Sequence, residues 1–192
     1  MPAPTHQLTI CGDAGHGNHN KRRNQFDPGF TIEVDGIKYR EADIALDYIN
    51  CLRDIVRAAG HGFIRTRRDN LDPAPVSRRD DIAREYGCHR MVSIHCNMFN
   101  GKASGTEVFY RGADDRVIAA RLSAHVSNAL AIPDRGPKLE SSSQHSSLAV
   151  LEFDKCWLIE LGFLDNARDR AAILDPNRRQ AVCRAIAQII TA

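Results

Sequence analysis

The chain has no apolar run long enough to cross a bilayer, no Cys-x-x-Cys pair, no internal repeat, no low-complexity tail and almost no net charge. Each absence excludes something. A transmembrane helix needs about 18 or more consecutive apolar residues, so membrane insertion is not expected. Cys11, Cys51, Cys88, Cys96, Cys156 and Cys183 are scattered through mostly apolar runs, which reads as buried thiols and not as a disulfide framework. Lysine and arginine (26) nearly balance aspartate and glutamate (24), leaving +2, too little to argue for a nucleic-acid partner. The basic clusters Lys21-Arg22-Arg23 and Arg65/Arg67/Arg68 read as a solvated rim that at most favours an anionic substrate. The opening residues Met1–Gln7 lack the basic and apolar blocks of a secretory signal, so synthesis in a reducing cytoplasm is expected.

What is present suits a globular enzyme. With 192 residues and 43% hydrophobic composition, the chain is expected to form a single domain over 1–192 with a real core. Strand-like and helix-like segments alternate, the pattern of an α/β domain. The expected fold is a twisted, mostly parallel sheet of about six strands, flanked by helices on both faces. A small hairpin is inserted near residues 31–39, turned by Asp35-Gly36. Strands are expected at Leu8–Cys11, Gly62–Thr66, Arg90–Ile94, Gly105–Tyr110 and Cys156–Leu161. Helices are expected at Glu41–Ala59, at Ser77–Tyr86 with Ser77 as N-cap, at Asp115–Leu130, and from Asn166 and Asp175-Pro176 onward. Pro133–Gln144 reads as loop.

Three of the strand-like runs end in metal-binding or acid–base chemistry. Leu8–Cys11 leads into Gly15-His16-Gly17, Arg90–Ile94 into His95, and Cys156–Ile159 into Glu160. Open α/β sheets build their sites along that carboxyl edge. Two histidines and a carboxylate there make the ligand set of a catalytic zinc with one position left open. Glu41 is the candidate third ligand, since the positive end of a helix favours an ionised side chain; Glu33 and Asp43 are nearby competitors. Glu160 interrupts the apolar run from Trp157 to Phe163, and a charge there is costly unless it is used. Desolvation would raise its pKa toward that of a general base and acid.

Several segments together carry a family resemblance. Gly15-His16-Gly17, Arg40-Glu41, Thr66-Arg67-Arg68-Asp69, Ser93-Ile94-His95-Cys96-Asn97, Gly105-Thr106-Glu107-Val108, Arg135-Gly136-Pro137-Lys138 and Ile159–Asn166 occur in this order. The chain thereby resembles the zinc-dependent N-acetylmuramoyl-L-alanine amidases of the amidase-3 family, which includes phage endolysins. The usual Asp-Pro-Gly-His-Gly reads Asp13-Ala14-Gly15-His16-Gly17 here, and the interval from His16 to Glu41 is longer than usual.

The resemblance implies one Zn2+ held by His16, Glu41 and His95, Glu160 as catalytic carboxylate, and Asn97, Arg135 and Lys138 as substrate contacts. It implies peptidoglycan as the partner, with cleavage between the lactyl group of N-acetylmuramic acid and L-alanine. Another zinc amidohydrolase or carboxypeptidase is the alternative, and a non-catalytic wall-binding protein a distant one. The short passage from Tyr110 to Asp115 leaves no room for the blocking helix of some family members, so no activator protein is expected. Action on the wall after release or export by other means follows from the missing signal. His19 and His145 are weaker candidates; His6, His61, His89 and His125 have no supporting context.

Overall fold

The computed structural model describes residues 7–143 and 147–192, so His6 and His145 lie outside the described residues. In chain order the elements are β1 (Thr9–Ala14), β2 (Gly17–Asn18), β3 (Phe26–Asp27), β4 (Thr31–Val34), β5 (Ile37–Arg40), α1 (Glu41–Ala58) and β6 (Gly62–Arg65). There follow α2 (Arg79–Glu85), β7 (Arg90–Asn97), β8 (Thr106–Tyr110), α3 (Arg116–Leu130), β9 (Asp134–Leu139), β10 (Cys156–Phe163), α4 (Ala167–Leu174) and α5 (Pro176–Ile190). Six strands form one sheet in the order β6-β1-β7-β10-β8-β9. The first four run parallel; β8 is antiparallel to β10, and β9 follows β8 in parallel. The inserted hairpin is β4 with β5, turned at Asp35 (φ 52°) and Gly36 (φ 74°). Two positive φ values in a two-residue loop match the twist of the paired strands.

The central strands are apolar on both sides because both faces are covered. On one face α1, α3 and α5 bury Tyr48, Ile49, Leu52, Leu122, Val126, Leu130, Val182 and Ile186 against Ile10, Val92, Ile94, Val108 and Ile159. On the other face the cover is thin. There α2 contributes Ala83, and a 3-10 turn at Ala149–Glu152 contributes Val150 and Leu151, over Cys11, Met91, Phe109, Cys156 and Leu158. Side chains two residues further along β1, β7 and β10 share this second face, because strand periodicity is two. Asp13, Ser93, His95 and Glu160 therefore continue the row beyond the cover, where a cleft of about 560 Å3 opens.

Two expectations require correction. Pro133–Gln144 is not all loop: Asp134–Leu139 is the edge strand β9, and Glu140–Ser142 is a 3-10 turn. An edge strand tolerates Pro137 because one side of it has no ladder partner, and the turn-forming residues that suggested a loop mark a bulge. Thr106 pairs with Asp134 but Glu107 with Gly136, leaving Arg135 as the extra residue. Ser77 is not an N-cap; it lies inside a 3-10 turn at Val76–Arg78, and α2 starts without a side-chain cap. Asp80 and Asp81 in the first turn supply the negative charge that this helix end favours.

Candidate metal centre

His16, Glu41 and His95 converge at the carboxyl edge of the sheet, each offering one ligand atom, all within 4.8 Å of one another. His16 Nε2 lies 3.0 Å and His95 Nδ1 2.9 Å from the same oxygen, Glu41 Oε1. The two imidazole rings stand 5.0 Å apart at 70°. Four ligands at zinc bond lengths of about 2.0–2.1 Å sit roughly 3.3 Å from each other, so the donor set has the right chemistry and nearly the right spread for zinc. Glu33 is exposed on β4, and Asp43 is occupied by Arg40 and Asn70. Of the three carboxylates considered, Glu41 alone reaches the histidines.

Local structure explains this convergence. Glu41 is the first residue of α1, buried to 1% exposure. Its Oε1 accepts from the Cys96 N–H (3.0 Å) and its Oε2 from the Phe30 N–H (3.0 Å). Burial opposes its charge, but His16 and His95 outweigh that and hold the carboxyl well below the usual range. His16 takes a left-handed backbone (φ 61°), a conformation uncommon outside glycine, which needs support from its surroundings. That support is two buried arginines. Arg67 donates to the carbonyls of Ala14 (2.9 Å), Gly15 (2.9 Å) and Ala42 (2.6 Å). Arg79 donates to those of Ala14 (2.8 Å), His16 (2.5 Å) and Ala74 (3.0 Å). Arg67 is 1% exposed, so it does not belong to the solvated rim that its neighbours in sequence suggested.

Three further residues complete the frame. Asp13 is 1% exposed and takes hydrogen bonds from Thr66 Oγ1 (2.6 Å), Arg79 Nη1 (2.6 Å) and Ser93 Oγ (2.5 Å). Asp27 lies 3.1 Å from His16 Nδ1, the nitrogen turned away from Glu41, and its Oδ2 also accepts from Asn20 Nδ2 (2.7 Å). Such a carboxylate fixes the ring and its tautomer for a metal. Gly29 (φ 66°) passes so close that a Cβ there would lie 2.6 Å from both Glu41 Oε2 and His16 Cδ2.

Glu160 stands directly across from His95 on the neighbouring parallel strand, and from Glu107 on the other side. It lines the cleft, and its Oε2 is buried with no hydrogen-bond partner among the described residues. Burial first, then the charges of Glu41 and Glu107, push its carboxyl well above the usual range. Such an oxygen is poised to take or give a proton.

Of the other expected contacts, Asn97 lines the cleft and donates to Glu107 Oε1 (2.9 Å). Arg135 donates through Nε to Glu107 Oε2 (2.8 Å) and stacks over Phe163 at 5.1 Å, reaching the cleft only through Glu107. Lys138 sits on β9 opposite Phe109 and is not part of the cleft wall. His19 does not join the cluster; His61 and His89 accept from the N–H groups of Leu8 and Thr9 at the start of β1. Asp27, Arg79 and Gly29 escaped sequence reasoning, and Glu107 entered it only as part of a family segment, without a role. Asp27-Pro28-Gly29 does carry a turn signal, but nothing local ties it to His16.

Comparison with known proteins agrees with this geometry. A family profile described as N-acetylmuramoyl-L-alanine amidase (Amidase_3) matches residues 10–192. An uncharacterised cell wall amidase of Bacillus anthracis is 34% identical over 123 residues, which are 58% of this chain and 22% of that protein. This chain therefore matches about a fifth of that relative's length. The catalytic domain of CwlV, an N-acetylmuramoyl-L-alanine amidase from Bacillus (Paenibacillus) polymyxa var. colistinus, has a TM-score of 0.79 at 23% identity, covering 96% of this chain and 97% of that one. Cwp6 from Clostridium difficile gives a TM-score of 0.81 at 22% identity, covering 97% of this chain and 29% of that one. At such identities these two show a shared fold. With nearly its whole length matched by the family profile, the chain belongs to the amidase-3 family of N-acetylmuramoyl-L-alanine amidases.

Proposed function

We propose that this chain hydrolyses the amide bond between the lactyl group of N-acetylmuramic acid and L-alanine of the peptidoglycan stem peptide. The observation that carries the reading is Glu160 Oε2, buried without a hydrogen-bond partner among the described residues, beside a His16–Glu41–His95 cluster in an open cleft. His16, Glu41 and His95 would hold one Zn2+. When bound, the ion supplies Lewis acidity and makes water acidic enough to attack near neutral pH.

The remaining work belongs to the protein. Glu160, with its raised pKa, takes the proton of the attacking water and delivers it to the leaving amine of L-alanine. Asp27 and the two arginines keep His16 aimed while this happens. Asn97, fixed by Glu107, offers a polar wall to the substrate, and Arg135 steadies that wall. The connection from Tyr110 to Arg116 holds only a short 3-10 turn at Ala113–Asp115, which supports action on the wall, as a bacteriolytic lysin, without an activating partner. Mass spectrometry of fragments released from purified peptidoglycan tests the reading. New amines on L-alanine, abolished by a chelator and restored by zinc, are expected; cleavage elsewhere in the stem would replace it with another amidohydrolase activity.

A further inference from the structure

A second cavity, of about 360 Å3, adjoins the cleft and shares Lys21 and Asp27 with it. Its walls are Lys21, Arg22, Gln25, Phe26, Asp27 and Pro28. They belong to the long interval between His16 and Glu41, whose loop joins β2 to β3. This loop is built and held. Asn20 is 7% exposed; its side chain donates to Asp27 (2.7 Å) and accepts from Arg79 (3.1 Å), and its carbonyl accepts from the Val76 N–H (3.0 Å). His19 N–H donates to the Gln25 carbonyl (2.9 Å), closing the loop. The backbone that carries Lys21 is thereby held at the junction of the two cavities.

The charge there is one-sided. Asp27 is the acidic wall residue, and its oxygens already serve His16, Asn20 and the Gly29 N–H. Lys21 Nζ stands 3.6 Å from it with its side chain 72% exposed, a weak pair. Arg22 forms no ion pair among the described residues, and the neighbouring Arg40 is held by Asp43. Asp27 alone separates this basic floor from His16, so the cavity begins one side chain away from the metal cluster. Lys21 Nζ lies 3.6 Å and His16 Nδ1 3.1 Å from the same Asp27 Oδ2, so the ammonium stands at most about 7 Å from the imidazole, the reach of about two residues of extended chain.

We infer that the cavity at Lys21 and Arg22 is a subsite for a carboxylate of the substrate, on the residue that follows L-alanine in the stem peptide. The inference rests on the amidase reading above for the identity of the peptide, and it makes the His16–Glu41 interval a specificity element. A charged hydrogen bond given by Lys21 or Arg22 to a carboxylate has no equivalent when that group is an amide.

Two probes test it: N-acetylmuramoyl-L-alanyl-D-glutamate and its amidated counterpart, N-acetylmuramoyl-L-alanyl-D-isoglutamine. The protein should favour the acid about tenfold in kcat/KM, mainly through KM, the scale of one charged hydrogen bond. K21Q/R22Q should bring the ratio near one, and K21E/R22E should favour the amide. The preference should shrink as salt is raised. Equal kcat/KM for both probes in the unaltered protein, or an acid preference that survives K21E/R22E, would overturn the subsite while leaving the amidase reading intact. Calorimetric titration of both probes into E160Q protein reads binding without turnover. Acid-selective binding with no cleavage of either probe would sink the amidase reading and keep the subsite. Inorganic phosphate that competes better than acetate, and only when Lys21 and Arg22 are present, would reassign the cavity to a phosphoryl group and overturn the carboxylate.

Discussion

Asp27 Oδ2 lies 3.1 Å from Nδ1 of His16, while Nε2 of the same ring faces Glu41 at 3.0 Å. One imidazole is thus held from both ends, and its two nitrogens are assigned different tasks. Loss of such an orienting carboxylate typically weakens metal binding by about 10–100-fold. D27N is expected to lower zinc affinity in that range, measured by competition with a chromophoric chelator, and to regain activity in excess zinc. Unchanged affinity would mean that the ring is oriented by the main chain alone.

E160Q is expected to bind zinc as the unaltered protein does and to lose turnover by roughly a hundred- to ten-thousand-fold. Removing the charge of a carboxylate whose Oε2 is buried and without a partner among the described residues, beside Glu41 and Glu107, should leave the melting temperature equal or higher. Retained hydrolysis would take the proton-transfer role away from Glu160.

The pH dependence follows from His16. Burial works against its charge, but the hydrogen bonds to Asp27 and Glu41 prevail and raise its pKa from 6.5 to about 9. A raised folded-state value means that the protonated ring stabilises the metal-free chain fully below 6.5, and that this contribution is lost as pH climbs through about 9. Zinc needs the neutral ring, so binding near pH 7.5 should expel about one proton, and apparent affinity should rise up to tenfold per pH unit until about 9. Calorimetry in two buffers of different ionisation heat counts that proton. On the acid side, the depressed carboxyls of Asp27 and Glu41 stabilise the chain above the ordinary carboxylate range, and this support fades as pH falls below it.

Gly15 tests how tightly the centre is built, because a Cβ at this position would lie 2.4–2.7 Å from three atoms of the His95 ring. G15A is expected to fold with reduced stability and at least a tenfold loss of zinc affinity, read from melting curves with and without metal. Full affinity would show that His95 has another place to go.

Arg67 supplies a test of the frame. R67K keeps the charge but loses the planar fork that reaches three carbonyls at once. Orphaning buried acceptors costs about 1–3 kcal/mol each, so denaturant titration should show a loss of about 2 kcal/mol or more. A neutral result would place the support of the His16 turn on Arg79 alone.

How much of this was readable in the chain depended on whether a residue broke its own local pattern. His95 and Glu160 stand in strands that are otherwise apolar, so they announced themselves, and the amphipathic stripe of α1 located Glu41 at a helix start. Asp134–Leu139 concealed a strand behind Gly136 and Pro137, since an edge strand with a bulge has the composition of a loop. Arg67 looked like its exposed neighbour Arg68, because nothing in Arg67-Arg68 says which guanidinium turns inward. Asp27 is eleven positions from His16, and their meeting is set by the path of the β2–β3 loop, which no periodicity encodes.

Both inward guanidinium groups grip the turn before His16 by its carbonyl oxygens and by no side chain of residues 14–16. The chemical identity of residue 14 is therefore exempt from the hold, since the Ala14 carbonyl and not its methyl group takes the hydrogen bonds. Variation at that position can tune how stiffly the loop enters the centre without dislodging the imidazole that follows it.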